Sequence, residues 1–291
     1  MKIYIPTRGR PFNQETLKWF NGEMKSNGEV VLVVDPDEEE KYSLWASTPK
    51  MVVPEDCIGI GPKRKYIVEN TDDPHIVMLD DDLRFYIRKS PTDWHLRYLE
   101  THEYPALFGL LDEWMDQGYA HVGVSAREGN NRVEELSVEN TRYMRALGYN
   151  LEEFPSDVEW GRTRVMEDFD ISLQLLRRGK ACKVSYYYAQ GQKSSNADGG
   201  CSEWRTIDVH NEGAQRLHDL HPTCVKVVEK QTKTAWNGLP RKDVIIGWKK
   251  AYKEGVENAE KVFNEKEFWE KRTKTYLEET KTIDKWNKKD N

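Results

Sequence analysis

The chain has 291 residues, 37% of them hydrophobic and 32% charged, a balance that suits one large or two small folded domains and excludes a disordered chain. Its formal net charge of −6 argues against a general nucleic-acid binder, yet the charge is uneven, because from Cys224 onward 17 Lys and Arg face 12 Asp and Glu. Cys57, Cys182, Cys201 and Cys224 include no Cys-x-x-Cys pair, which points away from a zinc ribbon or disulfide framework and toward free thiols in a reducing cytoplasm.

The opening MKIYIPTRGR is too short for a signal peptide, and no run approaches the ~20 apolar residues of a membrane span. Cytoplasmic localisation is therefore expected. Short apolar runs predict strands at Lys2 to Ile5, Val30 to Val34, Met51 to Val53, Ile76 to Leu79, His121 to Val124 and Lys183 to Tyr188. Amphipathic patterns between them predict helices at Gln14 to Met24, Glu38 to Trp45, Pro62 to Glu69, Pro105 to Gln117 and Glu167 to Arg178. That alternation predicts an α/β fold around a mostly parallel sheet flanked by helices. Beyond His210 the chain turns Lys/Glu-rich, and helices are expected at Glu212 to Leu220, Asp243 to Gly255 and Val256 to Trp286. The expected domains are a catalytic α/β unit, 1–210, and a helical extension, 211–291, packed on it.

The chemistry-bearing residues gather where such a sheet binds ligands, beyond the carboxyl ends of its strands. The first strand is followed by Thr7, Arg8 and Arg10, and the second by Asp35, an acid able to accept from a base or ribose or simply to shape the turn before Pro36. In GIGPKRKYIVEN, Lys63 and Arg64 lie in a helix's first turn, where cations oppose the helix dipole unless an anion binds there; a solvated basic turn is the alternative. IVMLDDDL ends a buried strand at Asp80, Asp81 and Asp82. Such carboxylates at about 4 Å repel by roughly 1 kcal/mol per pair in water and about 4 near a protein surface. An extended backbone turns Asp80 and Asp82 to one side, as a hard oxygen site for Mg2+ or Mn2+; an Asp-rich turn or cap is the alternative. RVMEDFDISLQLLRRGK places Glu167 and Asp168 at a helix start, where a carboxylate can act as general base. The polar loop Gln192 to Thr206, with Asn196, Gly199, Gly200 and Arg205, is either a lid or a plain surface loop. His210 follows it as a candidate third metal ligand.

Taken in order, IPTRGR, the acid after the second strand, GIGPKR, MLDDD and MEDFDISLQLLRRG resemble the GT-A-fold, nucleotide-sugar-dependent glycosyltransferases across roughly Met1 to Lys180. The resemblance implies a Rossmann-type GT-A-like sheet and a nucleotide-sugar donor, a UDP-sugar above all. It implies a divalent cation, Mn2+ or Mg2+, held together with the donor's ribose and diphosphate by Asp80 and Asp82, with Asp81 serving the nucleotide or only the fold, and Asp168, beside Glu167, as base. GGCSEWR, LHPTCVKVV and GWKKAY extend a narrower resemblance to phage glycosyltransferases associated with TET/JBP-type DNA hydroxylases, implying transfer to 5-hydroxymethylpyrimidines in DNA. Trp236, Lys249 and Lys250 in the basic tail are the candidate acceptor contacts, or a solvated helical face. A flipped-out target base is then required. A glycan, protein or small-molecule acceptor, and a non-catalytic nucleotide- or DNA-binding module, are the alternative readings. No membrane and no protein partner are expected.

Overall fold

The computed structural model describes residues 1–26, 29–192, 205–232 and 238–261, with the helical residues 264, 267, 270 and 274. Its strands are β1 Lys2–Pro6, β2 Val30–Val34, β3 Lys50–Val52, β4 His75–Leu79, β5 Leu83–Arg88, β6 Leu96–Tyr98, β7 His121–Ala126, β8 Ser137–Glu139, β9 Ala146–Asn150, β10 Cys182–Gln192, β11 Val225–Gln231 and β12 Pro240–Ile246. Its helices are α1 Gly22–Ser26, α2 Ile60–Glu69, α3 Tyr104–Asp116, α4 Arg127–Asn130, α5 Glu167–Leu176, α6 Ile207–Leu220 and α7, residues 248–261.

Ten strands form one sheet in the order β3-β2-β1-β4-β9-β7-β10-β5-β6, with β8 on β10. The β3-β2-β1-β4 half and the β7–β10 pair are parallel, as the alternating pattern predicts. The sheet as a whole is mixed, because β9 enters antiparallel between β4 and β7, and β5 and β6 add an antiparallel edge. The run ALGYN escapes a propensity reading of β9, since Ala, Gly and Asn are poor strand formers. It is nonetheless fully buried, and a Cβ on Gly148 would lie 2.5 Å from Val122 Cγ2, so only glycine permits this approach.

Alternation along the central strands divides the core. Ile3, Ile5, Val77 and Leu79 face α3, whose Leu107, Phe108, Leu111, Trp114 and Met115 form one helical stripe. Tyr4, Val31, Val33 and Met78 face the opposite layer with Ile67 of α2 and Ile171 and Leu175 of α5. Two expected helices differ: Gln14 to Met24 is a 3-10 turn, Leu17–Trp19, followed by α1, and Glu38 to Trp45 is a 3-10 helix beginning at Pro36. Pro62 stands third in α2 rather than first, which still needs no intrahelical N–H.

Among the described residues after 210, part of the expected helix is replaced by strands. Val225–Gln231 and Pro240–Ile246 form an antiparallel hairpin, the β-branched Val244, Ile245 and Ile246 replacing the start of the expected helix at Asp243. The α7 helix then lies so close to the end of α5 that a Cβ on Gly255 would stand 2.2 Å from the Leu176 carbonyl oxygen. His221 Nε2 meets Asp170 Oδ1 at 2.8 Å, and Arg162 Nε donates to Asp170 Oδ2 at 3.0 Å. These two contacts hold Asp170 below the usual carboxylate range, outweighing the burial that works the other way. The expected lid residues Asn196, Gly199 and Gly200, Trp236, and most of the expected terminal helix lie outside the described residues.

Candidate active site

The loops after β1, β2 and β4 meet at the carboxyl edge of the sheet. Thr16 fixes the aspartate loop: its Oγ1 donates to the Asp80 carbonyl at 2.6 Å and accepts from Leu83 N at 2.8 Å. Its amide donates to the Asp81 carbonyl at 3.0 Å. The three aspartates then part company. Asp81 turns into the protein, accepting from Thr7 Oγ1 at 2.6 Å and Arg10 Nη1 at 2.6 Å. Burial raises its pKa against those donors. Asp82 accepts from Arg10 Nη1 at 3.1 Å and Gln192 Nε2 at 2.9 Å.

Asp80 belongs to a second group. Arg64, one turn into α2, donates from Nη2 to Asp80 Oδ1 at 3.1 Å and from Nη1 to Glu167 Oε1 at 2.7 Å. Its side chain is 4% exposed. Burial works against the Arg64 charge, but Glu167, Asp80 and Asp168 outweigh it and raise its pKa. Gly61 makes this reach possible, since a Cβ there would stand 3.0 Å from Gly161 Cα in the loop that leads to α5. That loop carries Arg164, Val165 and Met166 without strand structure. It ends at Met166 in the left-handed region, φ 62°, so the chain turns sharply and delivers Glu167 and Asp168 as the first residues of α5.

Burial, then repulsion from Asp82, Glu167 and Asp168, pushes Asp80 up to about 7 despite Arg64. Glu167 and Asp168 are raised as well, chiefly by burial. The cleft is thus an acidic cluster short of positive charge. It can hold a cation, and Asp80 can take up a proton near neutral pH.

The other candidates fall around this cluster. Asp35 accepts from Arg8 Nη1 and Lys63 Nζ, both at 2.7 Å, so these three predicted residues form one ionic knot beside the cleft. Lys63 and Arg64 are buried and carboxylate-paired rather than a solvated basic turn. Arg205 Nη2 lies 3.1 Å from His210 Nδ1. Burial, Arg205 and Arg241 lower His210 to about 4, leaving a neutral imidazole at pH 7. Among the described residues no three His, Cys, Asp or Glu form a metal-holding cluster, so His210 is not gathered with Asp80 and Asp82. Lys249 and Lys250 are exposed at the start of α7, and Lys250 Nζ donates to the Thr223 carbonyl at 2.6 Å. No helix among the described residues is long and apolar enough to cross a membrane.

Sequence reasoning missed Arg142 and Arg145, which neighbour Asp168, and the Asp170–His221 contact that supports its helix. The signal available was indirect: two arginines three residues apart, just before an unrecognised strand.

Acids gathered on one buried arginine at the carboxyl edge of an α/β sheet have the character of an enzyme's site. Residues 1–200 match the model of the TET-Associated Glycosyltransferase family, and the chain belongs to that family. The chain is 25% identical over 206 residues to the beta-glucosyl-HMC-alpha-glucosyl-transferase of Enterobacteria phage T2, covering 66% of this chain and 72% of that protein. The phage T6 protein of the same name is 26% identical over the same lengths. Among solved structures, Mycobacterium tuberculosis glucosyl-3-phosphoglycerate synthase, in complex with Mn2+, UDP and phosphoglyceric acid, is similar at a TM-score of 0.47 and 12% identity, covering 84% of this chain and 86% of that one. TarS 1–349 of S. aureus with UDP-GlcNAc reaches 0.41 at 13% identity, covering 75% and 67%.

Proposed function

We propose that this glycosyltransferase has a GT-A-type site and moves a sugar from a nucleotide-sugar, a UDP-sugar in the first instance, to hydroxymethylated pyrimidines in DNA. The carrying observation is the convergence of Asp80, Glu167 and Asp168 on Arg64 within a TET-associated glycosyltransferase chain. In this reading residues 1–210 form the catalytic unit, the described residues after 210 buttress it, and Lys249 and Lys250 are on the acceptor side.

The donor set suits a divalent cation. Asp80 and Asp82 offer hard oxygens, Asp80 is short of compensating charge, and Mg2+ or Mn2+ commonly takes only one or two carboxylates together with waters and substrate phosphates. Bound there, the cation supplies Lewis-acid neutralisation of the diphosphate leaving group. The chain's own residues do the rest. Thr7 and Arg10 fix Asp81 and hold the aspartate loop in shape. Asp35, with Arg8 and Lys63, stands where a ribose or base can exchange into its hydrogen bonds. Asp168 takes the acceptor hydroxyl proton as that oxygen attacks the anomeric carbon, a role its raised pKa favours. Glu167 keeps Arg64 placed between the two acid groups.

A second reading follows from the phage relatives, whose name specifies a beta-glucosyl-HMC acceptor. Here the attacking hydroxyl belongs to a sugar already on the base.

One experiment separates the two. The protein is incubated with nucleotide sugars, Mn2+ and DNA carrying 5-hydroxymethylcytosine, 5-hydroxymethyluracil or glucosylated hydroxymethylcytosine, and the digested nucleosides are weighed. A one-hexose gain on a hydroxymethylated base supports the first reading, and a gain only on the glucosylated base supports the second. Transfer solely to a non-DNA acceptor removes both. Activity that survives Asp82→Ala and Asp168→Ala overturns the site assignment.

A further inference from the structure

We infer that Arg142 and Arg145 form a phosphate-binding pair beside Asp168. The segment that carries them bridges the two acid groups. The Arg145 carbonyl accepts from the Asp80 amide at 2.9 Å, anchoring one end on the aspartate loop. The Arg142 guanidinium stands 5.0 Å from the ring centroid of Phe169, the residue after Asp168, anchoring the other on α5. Both side chains reach solvent, Arg142 more than Arg145.

Neither arginine forms an ion pair within the described residues, although Asp168 and Asp243 act on Arg142 and Asp168 feels both charges. Arg64 already occupies Asp80 and Glu167, Lys230 and Arg241 occupy Asp243, and an Asp168 oxygen accepts from the Phe169 amide at 2.9 Å. Arg145 is also held at φ 66°, a left-handed conformation that a non-glycine residue adopts at a cost. Such strain persists where the surroundings dictate it, and here it falls on the residue whose carbonyl holds the Asp80 amide and whose charge acts on Asp168. Two guanidiniums with no ion-pair partner among the described residues match an oxyanion that must lie next to Asp168 during transfer.

Two phosphates meet that description: the donor's diphosphate and the phosphodiester flanking the target base. The inference rests on Asp168 facing the acceptor hydroxyl, and the experiment's arms tell the two sources apart. Full-length Arg142→Gln, Arg142→Lys and Arg145→Gly are compared with the parent protein. Glycine accepts the φ of 66°, so Arg145→Gly removes the cation without straining the backbone. If the ligand is the acceptor backbone, KM for hydroxymethylated DNA rises about tenfold or more in the Gln and Gly variants. In that case donor KM holds, and the salt slope of log kcat/KM for DNA falls by about 1 per arginine. If it is the donor, UDP affinity measured by calorimetry falls about tenfold or more while the salt slope for DNA holds. Arg142→Lys, which keeps the charge, retains part of the lost affinity in either case. Unchanged KM for DNA together with unchanged UDP affinity overturns the inference. If the parent protein acts on no DNA at all, the acceptor reading fails by itself, and the calorimetric arm, which needs no acceptor, decides the pair: lower UDP affinity supports it and unchanged affinity rejects it.

Discussion

Replacing Arg64 with Met tests the central feature of the cleft. The side chain is 4% exposed and meets Asp80 and Glu167 at 3.1 and 2.7 Å. Its removal leaves two buried carboxylates without their shared cation, next to Asp82 and Asp168. Deleting one partner of a buried ion pair typically costs about 3–5 kcal/mol. The loss depends on pH with a definite sign. Asp80 stands at about 7 even with Arg64 present, so the variant's carboxylates titrate higher still. An acid whose folded pKa lies above its unfolded value binds its extra proton in the folded state, so stability rises as pH falls toward the unfolded value near 4. Urea unfolding at pH 6, 7 and 8 should therefore show the full loss at pH 8 and a smaller one at pH 6, changing by up to about 1.4 kcal/mol per pH unit for each titrating group. Mn2+ should restore part of the stability at pH 8, since it supplies the missing charge to the same carboxylates. A loss below about 1 kcal/mol, or one that is equal at pH 6 and pH 8, refutes the picture of Arg64 as the neutralising centre.

Three further outcomes are expected. Asp168→Asn should lower kcat by about 10²- to 10⁴-fold while UDP affinity, read by calorimetry, holds; a matching fall in both would assign Asp168 to donor binding. His121 is fully buried and lowered to about 3, so it stays neutral when folded but protonates in the unfolded chain below about 6.5. Stability should fall from pH 6.5 toward 4 by up to about 1.4 kcal/mol per unit on its account, and His121→Gln should flatten that limb in pH-dependent unfolding. Gly255→Ala should destabilise by about 1–3 kcal/mol in thermal or urea unfolding, because the added methyl meets the Leu176 carbonyl; an unchanged midpoint would show that α7 does not sit there.

The place of the acids in the fold was legible in the sequence. Asp80 and Asp82 after IVML, and Glu167-Asp168 before an amphipathic run, follow from strand and helix patterns within a few residues of each group. What remained hidden was pairing at a distance. The GIGPKR turn reads as an anion site, yet Arg64 serves carboxylates 16 and 103 residues away, which no local pattern reports. The left-handed backbone of Arg145 and Met166 is equally silent, since neither residue type advertises it. The β9 strand was hidden for another reason: burial on both faces and close packing on Val122 select Ala, Leu and Gly there, residues that a propensity scale does not favour as a run.

The Asp170–His221 contact bears on how this enzyme can be cut and recombined. The family match ends at residue 200, which invites a shortened chain stopping near there. Such a fragment would strand Asp170 and Arg162 without the imidazole that completes their cluster and would uncover the flank of the helix that carries Asp168. Exchange of acceptor preference between relatives is therefore better attempted by swapping surface loops on an intact chain than by joining one protein's first 200 residues to another's tail.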